Sequence, residues 1–424
     1  SQSIKIIKKN NMFLVSGNAA NVEKDKNLKL LNIFFRKNLK DPVIDKVSFI
    51  SDSNFKFRID KKFKISDLHI KSSINLNNLD YKYNLLNLQK YLPNFEELIK
   101  LQNHKISIDY KKRKLKIEGN GELIIKDKKD NVDYIVTKIN DKYIFDLNTK
   151  INENSLLIDF LDYKKKEKRN SLLKLNGSYK IDNSVKFNSI LLSEKNNSFL
   201  IKNLNLSNKF KLISVDLVEL DYVNSAKIRN QINLKRNKKN YKIEGKSFDA
   251  TKLLDSLLNS ENNDEDLSLF KNLTSKIDIK INKTYLDSST FADNLLGNII
   301  FIDNKVNKAK LDSAFPNGKK LKFTINTNDN KEKITTLFSG YPKPLLKQYK
   351  FIKGFEEGVL DFYSVKKNKV SNSVLTIDNF KVQEVPLLAK LLTLASLQGI
   401  ADLLTGEGIR ITDLEMRISN KKGL

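Results

Sequence analysis

Apolar and polar residues alternate with a period of two over most of this chain, the spacing of a strand with one side turned from water. The clearest run lies between Lys105 and Thr149, where KISIDY, KLKIEG, GELIIK, DYIVTKI and KYIFDLNT follow one another, separated by KKR, KDKKDN and ND. Short polar spacers of this kind predict consecutive antiparallel hairpins. The alternation puts Ile106, Ile108 and Tyr110 on one face, Leu115 and Ile117 on one face of the next strand, and Tyr143, Phe145 and Leu147 on a face further on. Lys, Asp, Glu, Ser and Asn take the positions between. The expected sheet has a dry side and a wet side.

The pattern resumes from Leu172 to Arg236 and again from Lys276 to Gly340. The same reasoning adds Phe323, Ile325, Leu360 and Phe362 to the dry side and leaves Ser107, Asp109, Lys322 and Asp361 on the wet one. About two dozen strands at roughly 4.8 Å would give a sheet on the order of 100 Å long, which must curl, close or be covered. Helical segments are few: Asn94 to Leu101 after Pro93, Ala250 to Leu258 with Asp249 as N-cap, a turn or two after Pro344, and the apolar stretch from Pro386 to Leu404. They cannot roof so many strands. The expected fold is mainly β, a long, curled, largely antiparallel sheet forming an open groove. Four segments are expected: an N-terminal β segment with a short helix (1–104), a β-groove meander (105–245), a helix with further groove strands (246–340) and a C-terminal region (341–424).

That last region reads as SNSVLTIDNFKVQEV, then PLLAKLLTLASLQGIADLL, then TGEGI and ITDLEMRIS. Pro386 suits a first helical turn, and Gly399, Gly406 and Gly408 offer a break and a stop. Leu387, Leu388, Leu391, Leu394 and Leu397 recur at three- and four-residue steps, so the helix is expected to cap the apolar face of the sheet. The block resembles the C-terminal part of the AsmA-like family, in particular its YhdP branch, large envelope proteins of double-membraned bacteria. Weaker likeness runs through GKSFDATKLLDSLL and KPLLKQYKFIKGFEEGVLDFY, and, further upstream, YLPNFEELIKLQNHKISIDY. The resemblance implies the repeating β-groove of bridge-like lipid transfer proteins, a periplasmic place in the cell envelope, and phospholipids as cargo. It also implies an inner-membrane anchor and contacts to both membranes through segments outside this chain, with envelope proteins as further partners. No hydrophobic leader follows Ser1 and the family pattern runs on past Leu424, so the sequence reads as a piece of a longer protein.

Composition narrows the chemistry. There is no cysteine, which removes disulfides, thiolate metal sites and thiol nucleophiles. A net charge of +27 would suggest nucleic acid or an anionic membrane. Lysine far outnumbers arginine while Asn and Ile are abundant, which favours a codon-driven bias over a nucleic-acid site. The runs KKKEKR (Lys164 to Arg169) and KRNKKN (Lys235 to Asn240) read as solvated hairpin tips without interleaved aromatics. No segment is apolar enough to cross a bilayer as a helix; Val385 to Leu404 carries Lys390, Gln398 and Asp402.

Catalytic signals are weak. His69 and His104 are the only histidines and are not spaced as a local metal pair, with His104 expected at a strand start. The cluster NNDEDLS lacks the glycine and closing glutamate of a calcium loop, and TGEGI and KGFEEG lack the Lys-Ser or Lys-Thr of a phosphate loop. No enzyme, cofactor or metal is expected. The leading function is a lipid conduit; a scaffold for outer-membrane assembly that binds by strand addition and a polyanion binder are the alternatives.

Overall fold

The computed structural model describes residues 2–9, 12–26, 43–82, 89–96, 98–180, 184–208, 210–252, 273–346, 353–368, 370–384 and 409–421. Hydrogen bonding joins 23 strands in one mostly antiparallel sheet that does not close, and the chain divides into two compact units, Ser1–Ser225 and Ala226–Leu424.

In the first unit the strands are β1 (Gln2–Lys9), β2 (Met12–Lys26), β3 (Val43–Asp60), β4 (Ile65–Lys82), β5 (Leu98–Lys111), β6 (Lys114–Ile125), β7 (Lys128–Ile139) and β8 (Lys142–Lys150). After a small hairpin of β9 (Leu156–Ile158) and β10 (Tyr163–Lys165) come β11 (Leu172–Lys180), β12 (Ser184–Glu194), β13 (Asn197–Ser207), β14 (Leu212–Ser214) and β15 (Leu217–Val223). Each strand of the sheet pairs with its neighbour in sequence; β8 joins β11 past the hairpin, and β13 pairs with both β14 and β15. The second unit repeats the scheme with β16 (Arg229–Asn237), β17 (Asn240–Asp249), β18 (Ser275–Tyr285), β19 (Phe291–Ile302), β20 (Lys305–Ala314), β21 (Lys320–Thr327), β22 (Lys333–Ser339), β23 (Lys353–Lys367), β24 (Val370–Glu384) and β25 (Ile409–Lys421). Its one parallel pair among the described strands is β17 with β18, so residues 250–274 carry the chain back to the starting end.

This connectivity gives each unit two unlike edges. In the first, one edge holds the short turns after Lys9, Asp60, Lys111, Ile139, Lys180 and Ser207; the long connections 27–42, 83–97 and 151–171 leave from the other. In the second unit the short links 238–239, 303–304, 328–332 and 368–369 share an edge, and 340–352 and 385–408 leave from the opposite one. We call these the turn edge and the insertion edge.

Some expectations change. The described residues of 94–101 are not helical: a turn passes Asn94, and Leu98 to Leu101 begin β5, because their backbone groups complete ladders with β4 and β6. His104 lies inside β5, and the expected segment boundary there falls within the strand; the two compact units divide between Ser225 and Ala226. A short helix, α1 (Lys343–Leu346), contains Pro344 and so starts before the turn or two expected after that proline. Most of the helix expected from Ala250 and all of the one carrying Leu387, Leu388, Leu391, Leu394 and Leu397 lie outside the described residues.

Glycine shapes the apolar side of the first unit. A Cβ on Gly17 would come within 2.8 Å of the Phe55 ring, one on Gly119 within 2.5 Å of Tyr134, and one on Gly177 within 2.8 Å of Phe145. Each aromatic ring therefore occupies the space over the glycine directly opposite it in the ladder. His104 covers Gly121 in the same way, placed by a bulge at Asn103 (φ 55) and held by contacts from Nε2 to the Glu122 carbonyl (3.0 Å) and from Nδ1 to the Tyr134 hydroxyl (3.3 Å). Gly121→Ala should displace the ring and cost about 1–3 kcal/mol, since both hydrogen bonds of a buried imidazole are lost together. Urea unfolding followed by fluorescence measures it.

Candidate apolar binding face

Directly opposed residues in an antiparallel ladder point to the same side, so the registers trace which side chains share a face. In the first unit one row runs Ile108, Ile117, Val136, Phe145, then Gly177, Phe187 and Leu204. The next row holds Ile74, Ile106, Gly119, Tyr134, Leu147, Leu175, Ile190 and Ile201. Tyr110 sits opposite Leu115 in a third. All eight residues expected on the dry side of this unit are thus on one face, Tyr143 joining the third row through Lys138. In the second unit a row runs Leu234, Ile243, Ile279, Gly297, Leu311, Phe323, Leu337, Phe362, Leu375 and Met416, with Ile325 and Leu360 on the same side in flanking rows. Ser107, Asp109, Lys322 and Asp361 project to the other side.

Burial across this face is uneven. Toward the insertion edge Leu76, His104, Val132, Leu192 and Phe199 are buried in the first unit and Leu360 (2% exposed), Ile377 (0%) and Phe380 (1%) in the second, while Leu79, Leu101 and Leu173 there are partly buried and Val15, Val185 and Tyr241 are buried nearer the turn edge. In the middle rows Ile106, Ile108, Tyr110, Leu115, Ile117, Phe145, Phe323, Ile325 and Phe362 are only half-buried. The sheet supplies the apolar surface, and the described insertions cover one edge of it.

The first unit shows how that edge is closed. The β9–β10 hairpin sets Tyr163 against Phe199 (ring centroids 4.5 Å apart) and Tyr222 (5.8 Å), within a cluster completed by Leu192 and flanked by Leu156, Ile158, Leu161, Leu173 and Leu220. Two polar anchors lock it. Asp130, buried on the apolar side, accepts the backbone N–H groups of Asn152 (2.6 Å), Glu153 (2.9 Å) and Asn154 (3.2 Å) and the Asn154 side chain (2.8 Å). Lys165, fully buried, donates to the carbonyls of Asn154 (2.6 Å), Asn152 (3.0 Å) and Lys166 (3.3 Å). Of the run Lys164 to Arg169, expected to be solvated, the other five residues are exposed and Lys165 alone departs: it neutralises the carbonyl ends of a folded loop, and burial lowers its pKa below the usual lysine value. Lys235 to Asn240, by contrast, is an exposed hairpin tip as expected.

On the wet face His69 Nε2 meets Asp109 Oδ1 at 3.1 Å, a cross-strand pair between surface residues. Burial and the neighbouring Asp378 raise the pKa of Asp361 there. No group of three or more metal-ligating side chains gathers among the described residues, and no described helix is long and apolar enough to cross a membrane. The alternation did not identify Val136, which links Ile117 to Phe145, because Ile135 and Val136 are both apolar and only the register separates their faces. No protein-family model matches the chain, and neither curated proteins nor solved structures give a match.

The closed edge carries a pH signature. Tyr163 donates to Glu194 Oε2 at 2.6 Å, and burial, then that hydrogen bond, push the phenol far above its ordinary value of 10. The unfolded chain loses this proton from about pH 10 while the folded one keeps it, so the contribution is present below that pH and is lost as pH rises. Wild type should lose about 1 kcal/mol relative to Tyr163→Phe between pH 8 and pH 11, read from urea midpoints of both proteins.

Proposed function

We propose that this protein is a lipid carrier of the cell envelope whose apolar sheet face holds phospholipid acyl chains while headgroups stay in water. The single observation that carries the reading is the middle of that face. Apolar side chains, interrupted at Gly297, follow one another across ten strands of the second unit, and across almost as many in the first, without becoming buried. Each methylene kept from water on such a surface is worth about 0.8 kcal/mol, so an acyl chain gains from lying along it. Rows perpendicular to the strands offer a path of near-equal energy from one strand to the next, which suits movement better than a closed pocket would. The likeness of Ser371 to Ser419 to AsmA-like proteins supports a periplasmic setting and transport between inner and outer membranes. The role is binding and carriage, without catalysis.

Purified protein should carry phospholipid detectable by mass spectrometry after organic extraction. A photo-crosslinking amino acid at Ile108, Phe145 or Phe323 should label that lipid, and one at Ser107 or Lys322 should not. Ile117→Asp combined with Val136→Asp should remove most of the lipid held by the first unit. Equal labelling from both faces, or protein free of lipid, would overturn the reading.

A further inference from the structure

Among the described connections, four share one five-residue turn. Its first residue donates its N–H to the fifth residue's carbonyl and accepts the N–H of the fourth: Asp60 with Lys64 and Phe63, Ser207 with Lys211 and Phe210, Phe315 with Lys319 and Gly318, and Asn328 with Glu332 and Lys331. In every copy the fourth residue is left-handed, with φ of 58° at Phe63, 57° at Phe210, 79° at Gly318 and 60° at Lys331. That conformation suits glycine, as at Gly318, and is a genuine outlier for a bulky side chain. Phenylalanine has nevertheless been placed in it twice.

Both phenylalanines gain nothing from packing, for Phe63 is 87% exposed and Phe210 64%. Both stand on the turn edge of the first unit, since Asp60 pairs with Met12 at the end of β3 and Ser207 pairs with Ser184 at the end of β13. Lysines flank them in sequence, Lys62 and Lys64 on one side and Lys209 and Lys211 on the other. Between the two tips the same edge carries Lys111, Lys112, Arg113 and Lys142, all exposed. Among the described residues of this edge Asp141 is an exposed carboxylate beside Lys142, and Asp60 is already occupied, accepting the N–H groups of Lys62 (2.8 Å) and Lys64 (2.9 Å). An exposed ring at a hairpin tip, flanked in sequence by lysines, matches the boundary of an anionic bilayer, where the ring enters the acyl region and the cations meet phosphates.

We propose that the turn edge of the first unit docks on an anionic lipid surface through Phe63 and Phe210, with the edge lysines on the headgroups. The inference goes beyond lipid carriage and does not depend on it. Nucleic acid is disfavoured by the same geometry: the tips are separated by the strands from β4 to β13, so the rings form no stacking platform, and the neighbouring exposed Ile65 (55%) cannot stack on a base.

The test is co-sedimentation of the full chain with phosphatidylcholine vesicles, with and without phosphatidylglycerol, alongside Phe63→Gly/Phe210→Gly and Lys61→Gln/Lys62→Gln/Lys64→Gln. Glycine relieves both turns, so the first variant should melt at or above the wild-type temperature while its affinity for anionic vesicles falls at least about tenfold. The lysine variant should bind more weakly and with a shallower salt dependence. Lipid co-purifying with the protein should be unchanged in both, which separates docking from carriage. Unaltered vesicle binding by the glycine variant would overturn the proposal. So would equal binding of wild type to neutral vesicles, or binding of a single-stranded oligonucleotide that is lost in the same variants.

Discussion

The ladder register is the constraint on which the rest of this structure depends. Once two strands pair, each side chain is committed to a face, and a slip of one residue would turn the apolar set outward. Here the commitment propagates from Leu234 to Met416 without interruption, through a parallel pair and several bulges. The result is one side rich in apolar groups, which the described insertions cover only in part. Everything distinctive about the molecule answers that imbalance.

The answers differ by position. At the insertion edge the protein covers itself, with aromatic clusters and with buried polar groups that satisfy the covering loop. Asp130 and Lys165 show the logic: a loop brought over an apolar surface carries backbone N–H and carbonyl groups that must be paired, and a carboxylate and an ammonium pair several at once. In the middle rows the protein sets aromatic rings over glycines, as Tyr134 over Gly119, and leaves the surface half-buried. On the opposite face, pairs such as Lys116 with Glu118 at 2.6 Å and Lys242 with Glu244 at 2.8 Å keep the sheet hydrated. Pairs this exposed add little stability.

Strand identity and the shared face of Ile106, Ile108, Ile117 and Phe145 were legible because a strict period of two suits a pleated strand and matches no helical spacing. The start of β5 was not, because Phe95, Leu98 and Ile99 also fit a helical spacing and only pairing with Tyr81 and Ile125 decides for strand. The closing hairpin escaped for a different reason. LLIDFLDYKKK reads as mixed polarity, and nothing local reveals that Lys165 rather than Lys164 is inside. Dipeptides of apolar residues such as Ile135 and Val136 hid their faces until a partner strand fixed them.

Neighbours in the sheet are, almost throughout, neighbours in sequence. A hairpin can therefore be inserted or deleted without re-threading any other strand, and each one changes the width of the apolar face by about 10 Å. The span of such a molecule is in this sense a tunable length, set by copy number and not by redesign of a core.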